Sequence, residues 1–199
     1  MTHQSKFPIV AIGLSAGGME PLWEFFSQIP VQSGLAFIVI QHLNRDYISR
    51  ADKLLAKHTD IPVQWAKEGQ VVQPDHVYML PINQMMTIQE GVLHLQERDE
   101  IDRSNWAINL FFHSLARGEK AQAIGIILSG MGTDGTLGAI QIHAQGGEVM
   151  VQDPATAQFA SMPQSVLMKD HPSESLPPKR LAEALLEYVA SLGELENLA

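Results

Sequence analysis

Cysteine is absent from the 199 residues, and with it go disulfide frameworks, thiolate zinc sites and cysteine nucleophiles. No stretch approaches the ~18 consecutive apolar residues that a bilayer-spanning helix needs. Residues 1–6 are too polar and too short for a secretory signal. Basic residues are scarce: 13 Lys and Arg stand against 22 Asp and Glu, a formal charge of -9 at pH 7 with a pI near 5.3. A field of that sign opposes approach to phosphate backbones and anionic membrane surfaces, so nucleic acid is a poor partner. What remains is ordinary for a globular protein, 45% hydrophobic and 18% charged with 15 Gly and 11 Pro, which excludes collagenous and disordered readings. The expectation is one cytoplasmic domain without membrane insertion, large enough to bury roughly 70% of its unfolded surface.

Short apolar runs alternate with helical patterns. Residues 7–12 read as a strand, followed by Met19, Leu22, Trp23, Phe26 and Ile29 at helical spacing, with Pro21 tolerated in the first turn. Residues 35–40 are the next strand, Ile48, Ala51, Leu54 and Leu55 mark a second helix, and short strands fall around Val63 and at 77–80. Residues 85–89 and 92–96 are separated by Glu90-Gly91, the pattern of a tight hairpin, and so predict an antiparallel pair interrupting a parallel sheet. Ser104 is placed to cap a helix carrying Trp106, Leu110, Phe111 and Leu115. Residues 123–128 read as a buried strand, then a helix after Gly135, a strand at 148–151 and a terminal helix from about Lys179. Residues 172–178, rich in Pro and Ser, read as a linker. This rhythm predicts an α/β fold: a doubly wound, mostly parallel sheet with an antiparallel hairpin and helices on both faces. The division expected is an extension at 1–6, one domain at 7–192 and a tail at 193–199. In such sheets ligands bind beyond the carboxyl ends of the strands.

Directly after the first strand comes Gly13-Leu14-Ser15-Ala16-Gly17-Gly18, a G-x-S-x-G placed between strand and helix as a nucleophile elbow requires. A sharp turn leaves little room for Cβ atoms and favours glycine, while the bland alternative has Ser15 merely capping the helix. A dinucleotide fingerprint needs glycine where Ser15 stands and an acid where the second strand ends in Gln41-His42, and no G-K-[ST] phosphate loop occurs.

His42 follows its strand as Ser15 follows the first, and one right-handed crossover brings both strand ends to the same edge. Adjacent strands lie ~5 Å apart, within reach of a Ser-His hydrogen bond. His58, His76, His94, His113 and His143 lack such placement, and no H-E-x-x-H pair occurs, so no metal is expected. An imidazole base needs a carboxylate to orient it. The buried strand at 123–128 runs into a turn holding Asp134, whose bland role is a turn or N-cap residue. Three strands thus each deliver one triad residue type to the same expected edge. Elbow logic also nominates the backbone N–H of Ala16 as an oxyanion donor.

These residues resemble the catalytic domain of the chemotaxis protein-glutamate methylesterases, the CheB type. The resemblance rests on Ile12-Gly13-Leu14-Ser15-Ala16-Gly17-Gly18, Val39-Ile40-Gln41-His42, Val77-Tyr78-Met79-Leu80-Pro81, the block from Leu128-Ser129-Gly130-Met131 through Gly132-Thr133-Asp134-Gly135, Val151-Gln152-Asp153-Pro154-Ala155-Thr156-Ala157 and Met162-Pro163. It implies a serine hydrolase that removes methyl esters from glutamyl residues on the cytoplasmic helices of chemoreceptors and deamidates receptor glutamines. Ser15 is then the nucleophile, His42 the base and acid, Asp134 the orienting carboxylate and Met131 a second backbone oxyanion donor, with no cofactor. A receptor methyltransferase is a further implied partner, fused or separate. Regulated members carry an N-terminal receiver, for which residues 1–6 leave no space.

Ala16, Gln164, the Asp102-Arg103-Ser104-Asn105 stretch and residues 168–175 depart from the family pattern and bear on substrate affinity and partner identity. They motivate an alternative from another class, a catalytically dormant binding module of a chemosensory complex. An esterase for small metabolites is a third reading. The acidic total gives no simple steering toward acidic receptor helices; a local basic patch including Arg45 or Arg50 is the expectation that would offset it.

Overall fold

A strand buried on both faces must be apolar at consecutive positions, because successive side chains point to opposite sides of the sheet. The first strand, β1 (Ile9–Leu14), meets this condition: Ile9 and Ala11 enter one core, and Val10, Ile12 and Leu14 the other. The same reasoning accounts for β2 (Ala36–Gln41) and β8 (Ala123–Ile127), the strands on either side of it. The computed structural model describes residues 7–42, 49–99 and 105–196.

Four further strands, β3 (Val63–Trp65), β5 (His76–Met79), β9 (Glu148–Gln152) and β10 (Glu174–Leu176), complete a seven-stranded sheet of order β10-β9-β8-β1-β2-β5-β3. Every pairing in it is parallel. Helices α1 (Met19–Phe26), α2 (Ala51–Leu55) and α6 (Pro178–Glu196) place Leu22, Phe25, Leu55, Leu181 and Leu185 against one face. Helices α3 (Ala107–Glu119), α4 (Thr136–Ala144) and α5 (Ser161–Lys169) cover the other with Phe111, Leu115, Ile142 and Val166.

The hairpin forms as its sequence predicts, from β6 (Gln84–Gln89) and β7 (Val92–Glu97), with both loop residues in the left-handed region (φ 51° at Glu90, 73° at Gly91). It does not interrupt the parallel sheet. Both lateral sides of β5 are taken by β2 and β3, so the hairpin pairs with β4 (Gln70–Val71) into a separate three-stranded sheet. Met86, Ile88 and Leu93 of this small sheet share a core with α3, and the Ser114 hydroxyl accepts the Ile88 N–H at 3.0 Å. Two other expectations are corrected. The linker at 172–178 contains β10, and α5 occupies a segment for which the sequence predicted no element. Ser104 lies outside the described residues.

From β1 the chain first builds outward on the β2 side and later returns to lay β8, β9 and β10 on the other side. The strand order therefore reverses at β1, and the crevice at such a reversal opens at the carboxyl ends of the strands.

Candidate active site

Strand register sets the first two residues side by side. Leu14 is the partner of Gln41, and the His42 N–H donates to the Leu14 carbonyl at 3.1 Å, so Ser15 and His42 are the next pair beyond the ladder. On the other side the Ser15 N–H donates to the Ser129 carbonyl at 3.0 Å. Neighbouring parallel strands lie ~4.8 Å apart, which puts Ser15 between His42 and the turn after β8. The turn itself relies on Gly17, at φ +67°. Gly13 serves a different need. It lies within β1, and a Cβ there would stand 2.5 Å from Cγ2 of Ile108, so its missing side chain is what lets the start of α3 press onto the end of the strand.

That press delivers the acid. Asp134 is 8% exposed and its Oδ2 lies 2.8 Å from Nε2 of His42. The same oxygen accepts the Ile108 N–H at 2.9 Å, while Oδ1 accepts from Asn109 N–H at 3.0 Å and Gly135 N–H at 2.9 Å. Asp134 is thus a helix-capping aspartate after all, but it caps α3 and not the α4 that follows it, and it bonds the histidine as well. The amino end of a helix stabilises a carboxylate through its free amides and its dipole. With Nε2 committed to Asp134, Nδ1 is the imidazole nitrogen left for proton transfer. Among the described residues, Ser15 Oγ has no hydrogen-bond partner.

The wall opposite His42 is made by Ser129, which is fully buried. Its hydroxyl donates to the Ala16 carbonyl at 2.9 Å and accepts from the Phe159 N–H at 3.0 Å. Its own N–H donates to Oε1 of the buried Gln152 at 2.9 Å, whose Nε2 reaches the Thr156 carbonyl and hydroxyl at 3.2 Å. Gly130 N–H donates to the Phe159 carbonyl and Gly132 N–H to the Ser161 hydroxyl, which ties the turn to the amino end of α5. Sequence reasoning quoted Ser129 and Gln152 within motifs but gave them no role; hydrogen bonds spanning more than twenty residues leave no periodic trace. Ala16 and Met131, the two expected oxyanion donors, flank Ser15 on these two turns. Among the described residues neither amide donates to a protein acceptor, and the Met131 side chain is exposed.

Four other histidines engage in contacts away from this site. His58 stacks on Trp23 with ring centroids 4.7 Å apart, His76 Nδ1 bonds the Pro74 carbonyl, and His143 pairs with Asp170. His94 pairs with Glu68, whose carboxyl is held below the usual range by the Leu95 N–H and by that imidazole. Arg45 lies outside the described residues, and Arg50 is exposed at the start of α2. Among the described residues no three His, Asp or Glu side chains converge as metal ligands, and no helix is long and apolar enough to cross a membrane.

Comparison with known proteins gives one family. Residues 10–185 match the family described as CheB methylesterase. A Burkholderia pseudomallei protein named protein-glutamate methylesterase/protein-glutamine glutaminase 2 is 32% identical over 183 residues, covering 92% of this chain and 54% of the relative. A Trichodesmium erythraeum protein named protein-glutamate methylesterase/protein-glutamine glutaminase is 29% identical over 189 residues, covering 92% and 53%. The chain therefore spans about half the length of the curated relatives it matches. The crystal structure of the Thermotoga maritima CheB methylesterase catalytic domain superposes with a TM-score of 0.83 at 28% identity, covering 92% of this chain and all of that one.

Proposed function

Because the chain belongs to the CheB methylesterase family, we propose that it hydrolyses γ-methyl esters of glutamyl residues on the cytoplasmic helices of chemoreceptors, and glutamine side-chain amides by the same chemistry. The observation that carries this reading is the 2.8 Å bond between His42 and a helix-capped Asp134, beside a serine just past the end of the neighbouring strand.

Ser15 Oγ attacks the ester carbonyl as His42 Nδ1 takes its proton, forming a tetrahedral adduct whose oxyanion is met by the Ala16 and Met131 amides. Collapse breaks the C–O bond, and His42 returns the proton to the departing methoxide, which leaves as methanol. Water, deprotonated by the same imidazole, then cleaves the glutamyl-Ser15 ester and leaves a glutamate carboxylate. With a glutamine substrate the leaving group is ammonia. Asp134 holds the imidazole in one tautomer and offsets its positive charge in both steps. The methyl group offers little surface, so recognition falls to the receptor helix around it.

Methanol release from methylated receptor is the test. Wild type is expected to release methanol and Ser15→Ala not to. Equal rates in the two proteins across several receptors would sink the proposal, and receptor binding without hydrolysis would favour the dormant-module alternative.

A further inference from the structure

Neither α3 nor α4 is capped by the side chain of its own N-cap residue: Trp106 and Gly135 stand at those positions, and neither side chain bonds the first turn of its helix. The free amides are instead satisfied crosswise. Asp134, one residue before the cap of α4, accepts from Ile108 and Asn109 in the first turn of α3. Asn109 reciprocates, its side-chain Oδ1 accepting the Gly138 N–H in the first turn of α4 at 2.9 Å. A backbone N–H can only donate, so the Asn109 amide must turn its oxygen toward α4. The helices come close enough for this because Gly138 has no side chain; a Cβ there would lie 2.4 Å from Phe112 Cβ.

We infer that Asn109 is a positioning residue for the proposed triad, its side chain locking the amino ends of α3 and α4 into a reciprocal cap that fixes the Asp134 carboxylate and, through it, the His42 imidazole. The inference rests on the triad reading above. Its physical basis is that both carboxylate oxygens are fully engaged. Oδ1 is held by Asn109 N–H and Gly135 N–H, and Oδ2 by Ile108 N–H and His42 Nε2. Two of these donors move with α3, and the third, Gly135, moves with α4. The carboxylate plane therefore keeps its aim at His42 only while the two first turns stay in register, and the Asn109 to Gly138 bond joins those turns directly. A base displaced by a fraction of an ångström costs rate in the chemical step and leaves binding alone.

Phosphonylation of Ser15 by a fluorophosphonate, in which an O–P bond forms and fluoride leaves, reads activation of the nucleophile without a receptor. Asn109→Ala should lower the maximal labelling rate by roughly tenfold to a hundredfold with the half-saturating concentration unchanged, and Asn109→Asp, which keeps an oxygen for Gly138, should recover most of that rate. Ser114→Ala, which removes the α3 contact to Ile88 far from the cap, should label as wild type does. A folded Asn109→Ala that labels at the wild-type rate, or an Asn109→Asp as slow as Asn109→Ala, overturns the inference. If Asn109→Ala does not fold, Asn109→Gln decides: its displaced amide should slow labelling, and a wild-type rate overturns the assignment. Wild-type protein that is not labelled at Ser15 would instead overturn the triad reading itself.

Discussion

Two histidine–aspartate pairs lie at opposite edges of the parallel sheet. His42 and Asp134 meet at 2.8 Å beyond the carboxyl ends of the strands, and His143 and Asp170 meet at 3.1 Å near the edge where strands begin. Both aspartates are almost fully buried, at 7% and 8% side-chain exposure, yet the histidines differ, at 13% and 49%. The deeper contrast is in what else each carboxylate touches. Asp134 sits at the amino end of α3, where three backbone amides and the imidazole occupy both its oxygens. Asp170 sits at the carboxyl end of α5, and its buried Oδ2 has no hydrogen-bond partner among the described residues. The carboxyl end of a helix exposes carbonyls and offers a carboxylate no free amides, and the partner of Asp170 is His143 in the last turn of α4. In one pair a carboxylate orients an imidazole that has a serine beside it on the neighbouring turn. The other is a strut between two helix ends.

Exchanging the carboxylate for an amide gives the sharpest break between them. Asp134→Asn should cost roughly 10³ to 10⁴ in kcat for methanol release, since the amide can present the wrong tautomer of histidine and carries no charge; Asp170→Asn should leave that rate unchanged. Equal losses in the two variants would dissolve the distinction. Gly13→Ala comes next. Its Cβ would push Ile108 and the start of α3 off the strand, lowering stability by about 1 to 3 kcal/mol in denaturant titration and slowing hydrolysis, because the Asp134 donors move with that helix. The smallest effect belongs to His143→Ala. A half-exposed ion pair contributes less than about 1 kcal/mol, so the unfolding midpoint should shift slightly while hydrolysis stays at the wild-type rate.

Legibility of the sequence followed the range of the interactions. The strands β1, β2 and β8 were readable because burial on both faces demands an unbroken apolar run, and the hairpin because Glu90-Gly91 meets the local demand of its turn. Where the hairpin goes was not readable, since its apolar face suits either a sheet edge or a helix and only the occupancy of β5 decides. Helix α5 escaped notice because two of its four buried residues, Pro163 and Ser165, are a proline and a small polar residue, which leaves only Met162 and Val166 as apolar signal. Residues 174–176 escaped because a three-residue edge strand needs almost no hydrophobic signal. In the site, Ser15, His42 and Asp134 each announced themselves by lying just past a strand. Gln152, Ser129 and Asn109 did not, because what they do is fixed by partners far along the chain.

The central place of β1 also bears on when the site can first assemble during synthesis. The β1–β2 segment supplies Ser15 and His42 early, but the contact from Ser129 to Ala16 closes a loop of 113 residues, and Asp134 emerges later still. Closing so long a loop is slow and must await the distant strand. A nascent chain halted before β8 therefore holds Ser15 and His42 without the Ser129 wall or Asp134, and the arrangement can close only once the turn at 129–135 has been made.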